Sequence, residues 1–199
     1  MTTPLWETGS VRAWRLALGS YDEVIAAQGV ASLRDHDEWY RNELPAIIAG
    51  RRGTSVTLPE LVRVTRWKMS RGKWRARNLV LVQDNEPALV LETSRNAFRE
   101  LDHATRPIST LSTLAGVGPA TASAVVAAVA PARFPFFEDL VAEQVPGLGK
   151  VAYTLGYYSR YAEALRERAA RLGGDWNATL VERALWAHSG GKVASRSGA

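Results

Sequence analysis

Apolar residues recur at helical steps along most of this chain. Val11, Trp14, Leu18, Tyr21 and Ile25 stand three or four residues apart and predict a first helix ending near Gly29, and Trp39, Tyr40, Leu44, Ile47 and Ile48 predict a second that stops at Gly50. Thr57 with Glu60 three residues on is a capping box, and Pro59 suits a first turn, so a third helix is expected from there to about Trp67. The stretch 78–82 reads as a helical turn. In 87–102, Leu89, Val90, Ala97, Phe98 and Leu101 keep helical spacing, and Pro107 with Ser109 restarts the chain into a short helix reaching Leu114. Tyr153 to Leu172 predicts a long helix with Tyr157, Tyr161 and Leu165 on one face and Arg160, Glu163, Arg166, Glu167 and Arg168 on the other, stopping at Gly173-Gly174. Asn177 caps a last helix holding Leu180, Leu185 and Trp186. No strand-like alternation competes with these patterns, so the expected class is all-α.

Composition narrows the chemistry. The chain has no cysteine, which excludes disulfides, thiolate metal sites, cysteine nucleophiles and cysteine-held iron-sulfur clusters. His36, His103 and His188 have no metal-ligand spacing, so neither a metal nor another cofactor is expected. The opening residues lack a basic start followed by an apolar run, and nowhere do eighteen apolar residues occur in sequence, which predicts a cytoplasmic protein without a membrane partner.

The formal charge of +5 would become −1 without one segment, RWKMSRGKWRAR at 66–77, which holds six positive residues and no acid. Lys68, Arg71, Lys73 and Arg75, interleaved with Trp67 and Trp74, combine what a phosphate backbone and an exposed base would each attract. Read as a loop following the third helix, the segment is either a DNA-facing surface or a solvated loop with two core tryptophans.

Between two short helical segments at 108–130 lies Gly116-Val117-Gly118-Pro119. The glycines permit unusual backbone angles and close approach, Val117 plugs the turn into the core, and Pro119 loses nothing at a helix start where its N–H would be unpaired. The free N–H groups left at the helix N-terminus favour a phosphate.

The run Leu114-Ala115-Gly116-Val117-Gly118-Pro119-Ala120-Thr121-Ala122 resembles the hairpin of the endonuclease III superfamily of helix-hairpin-helix DNA glycosylases. The resemblance covers about 111–145. It implies a helical barrel at 51–137 containing the hairpin, a second helical domain formed by 1–50 and 138–188, and a disordered tail at 189–199. It also implies a catalytic aspartate just after the hairpin's second helix, the place held here by Asp139, with adjacent Glu138 as the alternative acid. The family lysine that attacks the sugar in strand-cutting members corresponds to Ala120, so a monofunctional enzyme is implied, acting as a monomer on damaged or mismatched duplex DNA.

The chemistry calls for such an acid. Breaking a base–sugar bond builds positive charge on the sugar, which a carboxylate stabilises, or the carboxylate activates the attacking water. The target nucleotide must be flipped out and its base held against flat or apolar walls, for which Trp67, Trp74, Phe136 and Phe137 are the candidates. Gly116, Val117, Gly118, Ala120 and Thr121 would grip the phosphate backbone. Two other readings stay open: Asp139 as a simple helix cap, and the whole chain as a non-catalytic hairpin module that recognises damaged or structured DNA.

Overall fold

The computed structural model describes residues 4–192, and every regular element among them is helical. After a 3-10 turn at Leu5–Glu7 come α1 (Val11–Gly19), α2 (Tyr21–Ala27), α3 (Leu33–Glu38), a π-helical turn at Trp39–Glu43, α4 (Leu44–Gly50), α5 (Leu58–Arg71), α6 (Ala76–Gln83), α7 (Pro87–Arg99), α8 (Arg106–Leu111), α9 (Pro119–Val129), α10 (Asp139–Ala142), α11 (Leu155–Leu172) and α12 (Ala178–His188). None is long and apolar enough to cross a membrane.

The expected caps are formed. Thr57 Oγ1 accepts from the Glu60 amide at 3.4 Å while Glu60 Oε2 accepts from the Thr57 amide at 2.7 Å, and Asn177 Oδ1 accepts from the Leu180 amide at 3.0 Å. The short helix expected to reach Leu114 ends at Leu111, the long helix starts at Leu155 rather than Tyr153, and three larger differences stand beside these. The first helix is broken at Ser20 into α1 and α2, the second is one π-distorted run from Leu33 to Gly50, and α5 continues four residues beyond Trp67. The basic segment is therefore mostly helix, with only residues 72–75 between α5 and α6, rather than a loop.

The architecture is two helical groups sharing one apolar core. α12 packs against α1, α2, α10 and α11, while α9 is embraced by α4, α5 and α8. Every residue of α9 from Ala120 to Ala128 is buried. Its alanines let the neighbours approach closely, and the Tyr40 hydroxyl donates to the Ala124 carbonyl at 2.6 Å. Residues 190 and 191, expected in the tail, pack on the core: Gln28 Nε2 donates to the Gly190 carbonyl at 3.1 Å, and a Cβ on Gly191 would lie 2.8 Å from the Trp186 ring. Residues 193–199 of the expected tail lie outside the described residues.

Candidate functional site

The Gly-Val-Gly turn is held from below by α6. Asn85 Nδ2 donates to the Ala115 carbonyl and Asn85 Oδ1 accepts from the Ala115 amide, both at 2.9 Å. Gly116 has φ +73°, and a Cβ there would lie 2.5 Å from the Asn78 carbonyl oxygen and 2.9 Å from the Val82 nitrogen, so only glycine fits. Val117 is buried. Gly118 is the contrast: its φ of −96° suits any residue, and nothing lies within 4 Å of an added Cβ. It precedes α9, whose first turn no side chain caps. Ala120 and Thr121 have buried side chains, so this end of α9 presents outward the partly exposed Pro119 ring and the backbone N–H groups that follow it.

The carboxyl pair sits on a pinned extended segment. The Tyr158 hydroxyl donates to the Pro135 carbonyl at 3.2 Å, Tyr161 to the Phe136 carbonyl at 2.7 Å, and the Phe137 amide to Ser123 Oγ at 2.9 Å. Phe137 is packed among Tyr153, Tyr157, Tyr158 and Tyr161, with ring centroids 5.3 to 6.0 Å away. This clamp delivers Glu138 and Asp139 to the start of α10.

Their surroundings differ. Glu138 is 5% exposed, lies 3.6 Å from the Arg71 guanidinium, and leaves Oε2 without a hydrogen bond. It rests so close to Gly72 that a Cβ there would meet Oε1 at 2.9 Å. Burial pushes its carboxyl up to about 7, against the pull of Arg71. Asp139 is partly exposed and accepts a hydrogen bond from the Tyr153 hydroxyl. Burial and the contact with Asp139 raise the Tyr153 phenol, which therefore stays a proton donor, and the Arg75 guanidinium lies 6.0 Å from its ring.

Three adjoining cavities connect these parts. One of about 240 Å³ is lined by Gly118, Pro119, Ala120, Thr121, Lys68, Arg75, Asn78 and Tyr153. It shares Lys68, Arg75, Ala120 and Tyr153 with a small one of about 30 Å³ that adds Glu138 and Asp139, room for one or two waters. A third, about 490 Å³, opens from the same carboxyls past Gly72, Lys73 and Trp74 to Leu140, Glu143 and Lys192. A larger hollow of about 680 Å³ lies between α4, the end of α9 and the start of α12. Its lining contains no carboxyl and no lysine.

Several of the expected roles need correction. Arg71 is 1% exposed and cannot reach a DNA phosphate: its guanidinium bonds Glu182 at 2.5 Å and the Tyr21 hydroxyl at 3.3 Å. Trp67 is 1% exposed, stacked on Tyr40 with centroids 3.6 Å apart and donating Nε1 to Asp37 at 2.8 Å, so it is core rather than pocket wall. Phe136 and Phe137 are buried too, yet both line the small cavity beside Glu138 and Asp139. Trp74, by contrast, is 52% exposed at the rim of the third cavity, and Lys73 and Arg75 are exposed beside it. Lys68 is half-buried and lines two of the cavities. Two contributors have no place in the sequence pattern: Asn85, whose amide fits the peptide of a residue thirty positions on, and Tyr153, which meets Asp139 across the Gly147-Leu148-Gly149 turn.

The raised Glu138 carboxyl predicts a pH effect on stability. A group whose native value lies above its unfolded value of 4.5 contributes stability below that value and loses it as pH rises through about 7. Wild type is therefore expected to lose about 3 kcal/mol more than Glu138→Gln between pH 4.5 and 7.5, read from urea unfolding at a series of pH values. Parallel slopes for the two proteins would place the Glu138 carboxyl at its ordinary value.

No protein-family model, no curated protein and no solved structure matches this chain.

Proposed function

We propose that this protein is a DNA glycosylase of helix-hairpin-helix type, which flips a damaged or mispaired nucleotide out of the duplex and hydrolyses its base–sugar bond. The observation that carries the proposal is one groove joining two different functions. Its upper part is the uncapped N-terminus of α9 with Gly118 open to approach, and its lower part is the Glu138–Asp139 pair around a water-sized cavity. A backbone amide cluster suits a phosphate and a carboxylate suits a sugar cation, and a nucleic acid carries both groups on one substrate.

Roles follow from exposure. Asp139 faces the groove, held by Tyr153, and stabilises positive charge at the sugar or draws a proton from water in the small cavity. Lys73 and Arg75 attract the flanking phosphates. Trp74 offers its exposed face to the extruded base. Ala120 supplies no amine from the hairpin, so base release is by water, the monofunctional route.

The hairpin part has its own test in two glycine variants. Gly116→Ala must take a left-handed backbone and collide with α6, costing about 2–5 kcal/mol of stability. Gly118→Ala meets nothing in the fold and is expected to shift stability by less than about 0.5 kcal/mol. Its methyl group stands where a phosphate would approach, so duplex affinity should fall about tenfold, near the worth of one hydrogen bond to a charged group. Thermal melting and fluorescence anisotropy with a labelled duplex read both. Unchanged affinity in Gly118→Ala would remove the phosphate contact from the account. The catalytic part is tested by base release, which Asp139→Asn should abolish.

A further inference from the structure

The hollow between α4, the end of α9 and the start of α12 has a volume of about 680 Å³, within the ordinary span of small-molecule sites. Its walls are mainly apolar, with Ile48 from α4 and Leu180 from α12, and the short side chains of Ala127 and Ala128 on α9 leave the space open. Two guanidinium groups meet this apolar lining. Arg41 is already satisfied, bonding Asp37 at 2.7 Å and Asp22 at 2.6 Å. Arg183 is half-buried, and among the described residues its guanidinium enters no salt bridge and no hydrogen bond. Its charge acts through space on Glu182, but that carboxyl bonds Arg71 at 2.5 Å. The Tyr21 ring lies 6.0 Å from its guanidinium carbon, at the outer limit of a cation–π contact. A guanidinium drawn part-way out of water without a partner carries a desolvation cost, which an anion in the hollow would recover.

We infer that this hollow binds a small apolar carboxylate, aromatic or branched aliphatic, whose two oxygens take the N–H groups of Arg183 while its apolar body lies against Ile48, Leu180 and the alanines of α9. One guanidinium presents paired donors that match one carboxylate. A phosphate would bring more negative charge than a single arginine offsets, since the lining holds no lysine and two aspartates hold Arg41. The helix end sets the orientation. The Ala130 amide bonds Val126, so the carbonyls of Ala127, Ala128 and Val129 have no partner along the helix and repel an anion. The carboxylate therefore belongs at α12 and the apolar body at α9. Pro119 at one end of α9 lines the DNA-facing groove and Ala128 near the other lines the hollow, and a helix of eleven residues is about 16 Å long. The ligand thus leaves the groove open, and its binding does not depend on the glycosylase reading.

The test titrates the isotope-labelled full chain with 2-naphthoate and follows its amide NMR signals, beside the same titration with 2-naphthamide, which has the same rings and no charge. The expected result is saturable shifts concentrated at 127–130 and 178–183, with a Kd of about 0.01–1 mM for a ligand of this size. The amide should bind at least about tenfold more weakly, near the worth of a hydrogen bond to a charged group. Arg183→Met should bring 2-naphthoate down to the affinity of the amide, and the wild-type comparison of acid with amide stands even where that variant folds poorly. No saturable shift, equal affinity for acid and amide, or shifts confined to the groove around Gly118 overturns the inference. Tighter binding of 2-naphthyl phosphate than of 2-naphthoate overturns the choice of carboxylate. Neither result bears on base release, so failure here and failure of the glycosylase reading are read separately.

Discussion

Replacing Arg71 with methionine is expected to lower the stability of the fold by about 3–5 kcal/mol, the range for breaking a buried ion pair on one side. The Arg71 guanidinium lies between Glu182 at 2.5 Å and Glu138 at 3.6 Å; Glu182 is as buried as the arginine and Glu138 is buried as well. Rings surround it as well, with Trp186 at 4.4 Å and Trp67 and Phe136 each at 5.3 Å from the guanidinium carbon. Methionine can fill most of the volume but cannot neutralise two interior acids. Burial already pushes Glu182 and Glu138 upward, and without Arg71 both would rise further. The loss should accordingly be smallest below the ordinary Glu range and grow as pH rises through neutrality. Adding Glu182→Gln to the variant should restore part of the loss, a coupling that a double-mutant cycle measures. A loss below about 1 kcal/mol, the value of an exposed pair, would contradict this account of the core. The same network has a functional side. From Asp37 through Tyr21 to Arg71 and then Glu138, hydrogen bonds and charge run from α3 to the groove, so Glu138, the buried member of the carboxyl pair, is fixed by the middle of the protein.

The second large effect belongs to Asp139→Asn, in which base release should fall about a hundred- to ten-thousand-fold while duplex binding persists. Asparagine matches the carboxylate in shape, and its amide oxygen can still accept from the Tyr153 hydroxyl that now bonds Asp139. What it lacks is the negative charge that offsets a sugar cation and the basicity that takes a proton from water. Glu138→Gln should do less to the chemical step, because Glu138 is held under Gly72 and faces Arg71. Equal losses in the two variants would mean that the pair acts as a unit. A larger loss in Glu138→Gln would exchange their roles.

Local features of the fold are visible in the sequence because short-range physics decides them. The Thr57 box, the Asn177 cap and the Gly116 turn each depend on a few neighbouring residues, and each is formed in the structure. The charged segment at 66–77 is different. Six cations without an acid look like a solvated surface, yet Arg71 is neutralised by Glu182, 111 positions away, and only the tertiary fold, which brings the end of α5 within reach of that side chain, makes the pairing visible. Trp67 fails as a pocket wall for the same reason, since its partners Tyr40 and Asp37 come from a different part of the chain. Glu138 and Asp139 follow the Gly-Val-Gly turn and α9 in the sequence, and the structure lines one small cavity with both of them and Ala120. The Tyr153 contact with Asp139 and the clamp of Asn85 on Ala115 are not legible in the sequence, being hydrogen bonds across distant segments that leave no periodic trace.

The most direct test of the central claim is base release by the wild-type protein from short duplexes carrying uracil, mismatched thymine, oxidised guanine, alkylated purines or deaminated adenine, with alkali added to reveal abasic sites. The account predicts alkali-labile sites in at least one duplex, lost in Asp139→Asn while binding to that duplex is kept. Tight binding to one of these duplexes with no base released from any of them would contradict it, leaving a protein that recognises DNA and performs no chemistry on it.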